Sequence, residues 1–181
     1  MGQDKAQLVL GGLTFVDRIA NELSVVASSV SVVGARQDFG SLTNVPDVHE
    51  QWGALGGIHA ALTAAETDWV VVVACDLPFV TSELFARLVH FANDTVDAVA
   101  PIQADGRPQP VCALYRRSSC LPEIDNLVGA GEHSPRALLA NVRTRYVEFA
   151  ELRDLRAAEY LFLNVNSPED LKKAHTILSR E

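Results

Sequence analysis

A run of apolar residues at positions 69–74 (WVVVVA) constrains the fold of this chain more than any other segment. Most of these residues are β-branched or aromatic, and no polar residue interrupts them, which predicts a strand covered on both faces, as in the centre of a parallel sheet. The strand is expected to end at residues 75–78 (CDLP).

Weaker patterns on both sides of this strand predict a regular alternation of strands and helices. Extended segments are expected at residues 6–10, 29–33, 44–48 and 143–149, and a β-hairpin at residues 98–102 and 111–115 around the turn residues Asp105 and Gly106. Helices are expected at residues 14–23, 58–66 and 82–93, and from residues 135 and 168 onward. Such an alternation is typical of an α/β protein with a mostly parallel sheet and helices on both faces.

Composition limits the classes of function. The chain has 181 residues, enough for one domain with a hydrophobic core, and 48% of them are hydrophobic, which argues against disorder. A formal net charge of −8 without a Lys/Arg cluster argues against nucleic acid as a partner. The longest apolar run is too short to cross a bilayer, so no membrane partner is expected. Three cysteines without zinc-site spacing predict a reduced, cytoplasmic protein.

Asp76 is the strongest candidate for chemistry because it directly follows the buried strand. Open α/β sheets bind ligands at the carboxyl ends of their strands, and an Asp at such a position can hold Mg²⁺ against phosphate oxygens. The structural alternative is that Asp76 caps the turn before Pro78.

Three further segments suit a phosphate or another polar ligand, and each has a structural alternative. Lys5 either places a positive charge on a phosphate or is a solvated terminal lysine. The glycine-rich residues 51–58 (QWGALGGI) either bring backbone N–H groups close to a ligand or form an ordinary connection. Asn164 and Asn166 face the same way if their segment is extended, and they either bind a ligand or stitch the turn before the last helix.

Other residue types that often carry chemistry give no such signal. No serine has the surroundings of a nucleophile elbow, so a hydrolase triad is unsupported. Five histidines, none paired at the spacing of metal ligands, are expected to be surface or core residues: His49, His59, His90, His133 and His175.

Five short motifs taken together resemble the molybdenum cofactor guanylyltransferase family. They follow the family's order through nearly the whole chain, at residues 1–5 (MGQDK), 53–57 (GALGG), 74–79 (ACDLPF), 109–115 (QPVCALY) and 164–170 (NVNSPED). Each motif is modest alone, and the five in order make a specific signal. The GALGGI segment and the NVNSP ending point to the guanylyl branch more than to its cytidylyl relatives.

The resemblance implies a Rossmann-like, three-layer nucleotidyltransferase fold in a single domain. It also implies a reaction in which the terminal phosphate of molybdopterin, with or without molybdenum, attacks the α-phosphorus of GTP and displaces pyrophosphate. Mg²⁺ is the implied cofactor, GTP and molybdopterin are the implied substrates, and molybdoenzymes or their chaperones are the implied partners.

The resemblance assigns the nucleotide side of the site to residues at matching positions. Asp76 would hold the metal ion and Lys5 would grip the triphosphate, so these two are the catalytic candidates. Asp47 falls near the acidic position that contacts guanosine in the family. The loop residues that would lie against the nucleoside are Gly53, Leu55, Gly56 and Gly57.

The same resemblance assigns a pterin side to the site. Asn164 and Asn166 match amides that the family places there, and we add Arg107 and Gln109 to that side.

The sequence departs from the family at Gly34, where the family often has Asn, so the resemblance does not carry over this one contact to the base.

The largest departure from the family lies at the start of the sequence. The family opens with a buried strand and a loop of the form LAGGxSxRMG, and this sequence begins at the final Met-Gly. We therefore expect the first strand to be missing from the sheet, through a late start site or a truncated sequence. If the sequence is complete, two neighbouring strands lose their hydrogen-bond partner, and a shifted strand, another chain or water has to fill the gap. The alternatives to the guanylyltransferase are a cytidylyltransferase or other nucleotidyltransferase of the same fold, and a non-catalytic binding module that lacks the glycine-rich phosphate loop.

Overall fold

A computed structural model of the chain describes residues 5–35, 37 and 39–179, with only the backbone described at Lys5. These residues form eight strands: β1 (Val9–Leu10), β2 (Leu13–Thr14), β3 (Ser31–Val33), β4 (Thr43–Val45), β5 (Trp69–Val73), β6 (Ala98–Pro101), β7 (Cys112–Arg116) and β8 (Thr144–Val147). The same described ranges contain six α-helices: α1 (Phe15–Leu23), α2 (Ala54–Ala64), α3 (Ser82–His90), α4 (Arg117–Gly129), α5 (Pro135–Asn141) and α6 (Pro168–Leu178). Short 3₁₀ turns occupy Lys5–Gln7, Glu50–Trp52 and Phe149–Glu151.

The main sheet has four strands in the order β5-β7-β6-β8. Strand β7 is antiparallel to both β5 and β6, and β6 is parallel to β8, so three of the four strands run in one direction. The predicted hairpin is confirmed, because Ala98 pairs with Tyr115 and Val99 with Leu114 across β6 and β7. The predicted α/β class with a mostly parallel sheet is therefore correct.

The position of the apolar strand differs from the prediction. Within the described residues β5 pairs only with the antiparallel β7, so it lies at the edge of the four-stranded sheet rather than at the centre of a parallel one. Its two faces are nevertheless both covered, because Val71 and Val73 pack into one hydrophobic cluster and Val70 and Val72 into another. The uninterrupted apolar pattern reports this two-sided packing and carries no information about which strands lie alongside.

A second, separate sheet is formed by β3 and β4, which are parallel. Within the part of the chain that the structure describes, no ladder of hydrogen bonds joins β3 to β5, and each of these strands pairs on one side only. Helix α2 contacts β3, β4 and β5, and so connects the two sheets by side-chain packing.

The sheet is covered on both faces, which gives three layers. Helices α1 and α3 pack on one face, where Ile19, Leu84 and Phe85 join the core. Helices α2, α4 and α5 pack on the other, and their apolar side chains close over β6 and β7. Cys112 and Cys120 are buried, Cys75 is half-buried, and none of these three described residues forms a disulfide bond. None of the helices in the described ranges is long and apolar enough to span a bilayer.

Helix termini mostly follow the sequence signals. Thr14 caps α1 through a bond from the Asp17 N–H to its Oγ1 at 3.0 Å, and Thr81 caps α3 through the Leu84 N–H at 3.3 Å. Ser167 caps α6 in a capping box with Asp170. These three capping interactions satisfy backbone N–H groups that have no partner inside the helix.

Three local predictions are wrong. Residues 6–10 were expected to be extended, but a 3₁₀ turn precedes β1, which pairs with β2 around Gly11. Gly56 and Gly57 belong to the first turn of α2, which begins at Ala54 and not at residue 58. No helix was predicted at α4, because Pro122 lies inside it and breaks the pattern that a helix usually shows.

Candidate functional site

The carboxyl edge of the main sheet collects several of the predicted site residues. Because β5, β6 and β8 run in the same direction, they end at the same edge, where ligands bind in open α/β sheets. Asp76 follows β5 there, and the Ala74 N–H donates to the Val111 carbonyl at 2.7 Å, which joins this strand end to the beginning of β7. Gln109 lies beside it, with its N–H donating to the Pro101 carbonyl at 2.9 Å.

A backbone hydrogen bond brings the late asparagines to Asp76. The Val165 N–H donates to the Asp76 carbonyl at 3.0 Å. Val165 is fully buried, whereas Asn164 and Asn166 on either side of it are exposed. The alternation confirms that the two asparagines lie on the same, solvent-facing side of an extended segment. A half-buried carboxylate and two exposed amides therefore meet at one sheet edge.

The turn after this segment also has a structural role. The N–H groups of Asn166 and Ser167 donate to Asp170 Oδ2 at 3.2 and 3.0 Å, and the Ser167 hydroxyl donates to the same oxygen at 2.8 Å. These bonds, led by the one from the Ser167 hydroxyl, hold the pKa of Asp170 below its ordinary value. The backbone thus stitches the start of α6 while the asparagine side chains stay at the surface, so the two interpretations of this motif are compatible.

The glycine-rich segment brings backbone close to Asp47. Gly56 is buried, and a Cβ at this position would lie 2.4 Å from the His49 carbonyl oxygen and 3.3 Å from Asp47 Oδ1. Asp47 Oδ1 in turn accepts a bond from the His49 N–H at 3.0 Å. Only glycine leaves room for the segment before α2 to pack this closely on the helix.

Gly53 and Leu55 differ in what they expose. Gly53 is exposed, adopts φ +57° and directly precedes α2, and its carbonyl accepts a hydrogen bond from the Gly56 N–H at 3.0 Å. The Leu55 side chain is fully buried in the core under α2. The apolar surface of Leu55 therefore packs inward, and its predicted place against the nucleoside stays a prediction. Gly57 is half-buried.

Helix α2 carries this glycine segment to the same edge as Asp76. Arg117 connects the end of α2 to the start of β5. Its side-chain Nε donates to the Leu62 carbonyl at 2.9 Å, and its backbone N–H donates to the Asp68 carbonyl at 2.6 Å. The end of α2 therefore lies at the start of β5. Eleven helical residues and a five-residue strand are both about 16 Å long, so the start of α2 reaches the level where β5 ends.

Arg107 and Gln109 are positioned less favourably for a ligand. Arg107 forms an exposed ion pair with Asp105, with Nη2 2.5 Å and Nε 2.7 Å from Oδ2. The bond from Arg107 holds the pKa of the Asp105 carboxyl below its usual value. Gln109 is only 6% exposed. The predicted role of Lys5 concerns a side chain that lies outside the described part of the structure.

Two features near the site carried no sequence signal. Arg18 on α1 donates from Nε to the Pro78 carbonyl at 3.3 Å, which ties the turn after Asp76 to the neighbouring helix. Trp52 forms ring contacts with three histidines that are far apart in the sequence. Their spacing gave no sign of this clustering, because it depends on the packing of α2 against α4.

The surface near this edge has depressions, but the described residues provide no cluster of metal-binding side chains. Two depressions, of about 140 and 650 Å³, flank α1, and the smaller one is lined in part by Pro78 and Thr81. Across residues 5–35, 37 and 39–179, no three His, Cys, Asp or Glu side chains are grouped as a metal site. A single carboxylate such as Asp76 still suits Mg²⁺, which is commonly held by one or two carboxylates together with substrate phosphates and water.

The chain is similar in sequence to molybdenum cofactor guanylyltransferases from other organisms. The chain is 36% identical over 180 residues to the "Probable molybdenum cofactor guanylyltransferase" of Pelotomaculum thermopropionicum, covering 98% of this chain and 86% of that protein. It is 30% identical to the molybdenum cofactor guanylyltransferase of Desulfosudis oleivorans, covering 98% and 88%.

Solved structures extend the comparison to the fold. The molybdopterin-guanine dinucleotide biosynthesis protein A from Archaeoglobus fulgidus superposes with a TM-score of 0.82 at 26% identity, over 99% of this chain and 93% of that one. The 2-C-methyl-D-erythritol 4-phosphate cytidylyltransferase from Thermus thermophilus superposes at 0.72 and 20% identity, over 98% and 94%, and shares the fold. The family model for the MobA-like NTP transferase domain matches residues 1–148, and this chain therefore belongs to that family of nucleotidyltransferases.

Proposed function

We propose that this protein is a molybdenum cofactor guanylyltransferase that transfers GMP from GTP to molybdopterin, with or without bound molybdenum, and releases pyrophosphate. The observation that carries the proposal is the backbone bond that brings Asn164 and Asn166 to Asp76 at the carboxyl edge of the sheet, in a chain of this family. The product would pass to a molybdoenzyme or its chaperone, in the cytoplasm.

The chemistry needs no nucleophile from the protein. The attacking group is a phosphate oxygen of molybdopterin and the leaving group is pyrophosphate, so the protein contributes positioning and charge neutralisation. The exposed amides of Asn164 and Asn166 orient the acceptor, and the α2 start orients the nucleoside. The Arg18 bond to the Pro78 carbonyl keeps the Asp76 turn in place. Lys5 neutralises the triphosphate.

Asp76 is the residue that would hold a divalent cation, which we take to be Mg²⁺. One carboxylate and two neighbouring amides form an oxygen-rich donor set of the kind that hard cations prefer. When bound, the cation lowers the negative charge of the triphosphate and stabilises the departing pyrophosphate. Asp76 supplies the fixed negative charge that keeps such a cation at the edge of the sheet.

Asp47 is the residue that we assign to recognition of guanine. A carboxylate accepts two hydrogen bonds, and the Watson–Crick edge of guanine offers two adjacent donors, the ring N–H and the 2-amino group. Oδ1 of Asp47 is held by the His49 N–H. Cytosine has a single donor group on this edge, so a carboxylate favours GTP over CTP. Competition between the two nucleotides tests this assignment, and a preference for CTP would indicate a cytidylyltransferase of the same fold.

The decisive experiment measures GTP-dependent formation of the dinucleotide cofactor by Asp76→Asn. We expect a loss of about 100-fold or more, since charge stabilisation in the transition state is removed while the shape is kept. Asp94→Asn is the matched control, because Asp94 is fully exposed near the opposite edge of the sheet, and it should retain activity. Undiminished activity of Asp76→Asn rejects the metal role.

The reaction is measured with this chain and with a form that carries a family LAGGxSxR segment ahead of Met1. Calorimetry with Mg²⁺-GTP accompanies the assay. Micromolar binding supports the enzyme, whereas no binding by either form supports a non-catalytic module.

A further inference from the structure

A cluster of four rings lies beside the glycine segment of the site. We define it as the Trp52 cluster: His49, Trp52, His59 and His133. We propose that Trp52 and His133 clamp a planar fused ring that carries the 2-amino-4-oxopyrimidine unit. Guanine and pterin share this unit, so the inference rests on the proposed function and adds a binding subsite to it.

One side of the clamp is rigid. The rings of His49 and Trp52 are stacked at 3.7 Å between centroids and 8° between planes. The backbone N–H of Trp52 also donates to the His49 carbonyl at 2.8 Å. His59 meets both rings edge-on, at 5.1 and 5.5 Å. Its side chain is only 16% exposed, and its Nε2 lies 3.7 Å from Asp125 Oδ1 on α4. One face of Trp52 is therefore covered and fixed in orientation.

The other side of the clamp is the exposed ring of His133. Its distance from the Trp52 ring is close to the separation that an inserted ring needs. His133 lies in the turn between α4 and α5, and its ring is nearly parallel to Trp52, at 6.4 Å between centroids and 20° between planes. An inserted aromatic ring needs about 7 to 8 Å, which is twice a carbon–carbon contact distance. An outward shift of His133 by about 1 Å would provide this space. Gly131, at φ +79°, lies two residues before His133 in the same turn.

The surroundings of the clamp match the polar edge of such a ring. Asp47 lies two residues before His49, and its Oδ2 has no partner among the described residues. Gly53 directly follows Trp52 and is exposed at the start of α2, where helix N–H groups favour an oxo group or a phosphate. An acceptor for the 2-amino side and donors for the oxo side thus lie next to the rings.

A purely structural role for the cluster makes a different prediction. If the four rings only connect α2 to the α4–α5 turn, replacing them lowers stability and leaves ligand affinity unchanged. His133 separates the two roles most clearly, because it is exposed and its removal leaves no cavity in the core.

The test uses the full chain with Trp69→Phe, which leaves Trp52 as the sole tryptophan. Calorimetry measures binding of Mg²⁺-GTP, Mg²⁺-CTP and free pterin-6-carboxylate to this form and to Trp52→Ala, Trp52→Phe and His133→Ala versions of it. We expect about tenfold weaker binding for Trp52→Ala, about threefold for His133→Ala, and a near-normal value for Trp52→Phe, which keeps a stacking face. His90→Ala, at an exposed position on α3, is the matched control and should change nothing.

The arms of the test identify the occupant and separate the two proposals. Weakened GTP binding identifies guanine, weakened pterin-6-carboxylate binding identifies the pterin, and quenching of Trp52 emission by the same ligand supports direct stacking. Unchanged affinity for both ligands in Trp52→Ala and His133→Ala overturns the clamp and leaves the guanylyltransferase standing. If neither the unmodified chain nor the form that carries the LAGGxSxR segment binds either ligand, the proposed function itself is rejected.

Discussion

Two aspartates at opposite edges of the main sheet show how differently the fold uses the same side chain. Asp97 directly precedes β6 at the amino edge, is 6% exposed, and accepts bonds on both oxygens. Its partners are Ser119 Oγ at 2.8 Å and Arg143, whose Nε and Nη2 lie at 2.7 and 2.8 Å. Asp76 follows β5 at the carboxyl edge and is half-buried, and its backbone carbonyl holds the exposed asparagine segment.

The two aspartates have the same side chain and both adjoin a strand, so their surroundings are what distinguish the structural carboxylate from the one that we propose for the site. Around Asp97 every acceptor site is directed at a donor from the same molecule, so the group locks β6 to α4 and β8. Around Asp76 the neighbouring amides face solvent, at the edge where this fold class binds ligands. The first arrangement stabilises the folded chain, and the second places exposed amides where we propose that the substrate binds.

Replacing Asp97 with Asn should have the largest effect on the stability of the folded chain. Asp97→Asn keeps the volume and the Ser119 contact but removes the charge that Arg143 faces. We expect a loss of about 2 kcal/mol in the free energy of unfolding, the value typical of charge-assisted bonds, at the lower end for a buried group because the guanidinium is exposed. Urea unfolding at pH 7 measures it. Asp94→Asn serves as the control and should unfold like the parent; an equal loss in both variants contradicts the assignment.

The pH dependence of the unfolding free energy provides a second test of the structural role of Asp97. The guanidinium hydrogen bond from Arg143, assisted by Ser119 and opposed by desolvation, holds the pKa of Asp97 far below its ordinary value. The ionised carboxylate thus contributes its full stability above about pH 4, the pKa of an unfolded Asp, and loses it as pH falls further. The difference in unfolding free energy between the parent and Asp97→Asn should therefore be constant from pH 5 to 7 and shrink toward about pH 2. A difference that grows with acidity would refute this account.

Much of the fold could be predicted from local patterns, whereas pairing could not. The extent of β5, the hairpin of β6 and β7, and the caps of α1 and α6 follow from residues that are adjacent in sequence. The edge position of β5 depends on which strands are present beside it, and an apolar run does not encode that.

The site divides in the same way. The shared orientation of Asn164 and Asn166 could be predicted from their spacing, because a strand-like segment alternates its side chains. The network of Asp97 and Arg143 could not, because its members are far apart in sequence and neither has an unusual neighbour. Gly56 was assigned to a loop that brings backbone close to a ligand, whereas in the structure it lies inside a helix, where its lack of a side chain makes room for the His49 carbonyl.

Gly56→Ala should disturb the nucleotide side of the site without unfolding the chain. The new Cβ would meet the His49 carbonyl at 2.4 Å, so the segment that carries Asp47 must shift, while the higher helix propensity of Ala offsets part of the strain. We expect about tenfold weaker GTP binding by calorimetry, about 1.4 kcal/mol. Gly129→Ala in helix α4 is a matched control, since nothing lies within 4 Å of its Cβ position, and it should bind GTP normally. Equal effects at both glycines would argue against close packing as the cause.

Arg107 offers the smallest and most discriminating effect, because its resemblance-based role on the pterin side competes with its ion pair to Asp105. The two side chains are 63% and 47% exposed, so the pair adds little to stability, yet it presents an almost neutral surface to an anionic substrate. Arg107→Ala should therefore change kcat/KM for molybdopterin by less than about threefold. Asp105→Asn removes the compensating charge and should lower KM at low salt only if Arg107 faces the substrate. A large loss in Arg107→Ala, together with no change in Asp105→Asn, would show that the guanidinium leaves Asp105 during turnover and contacts the pterin phosphate directly.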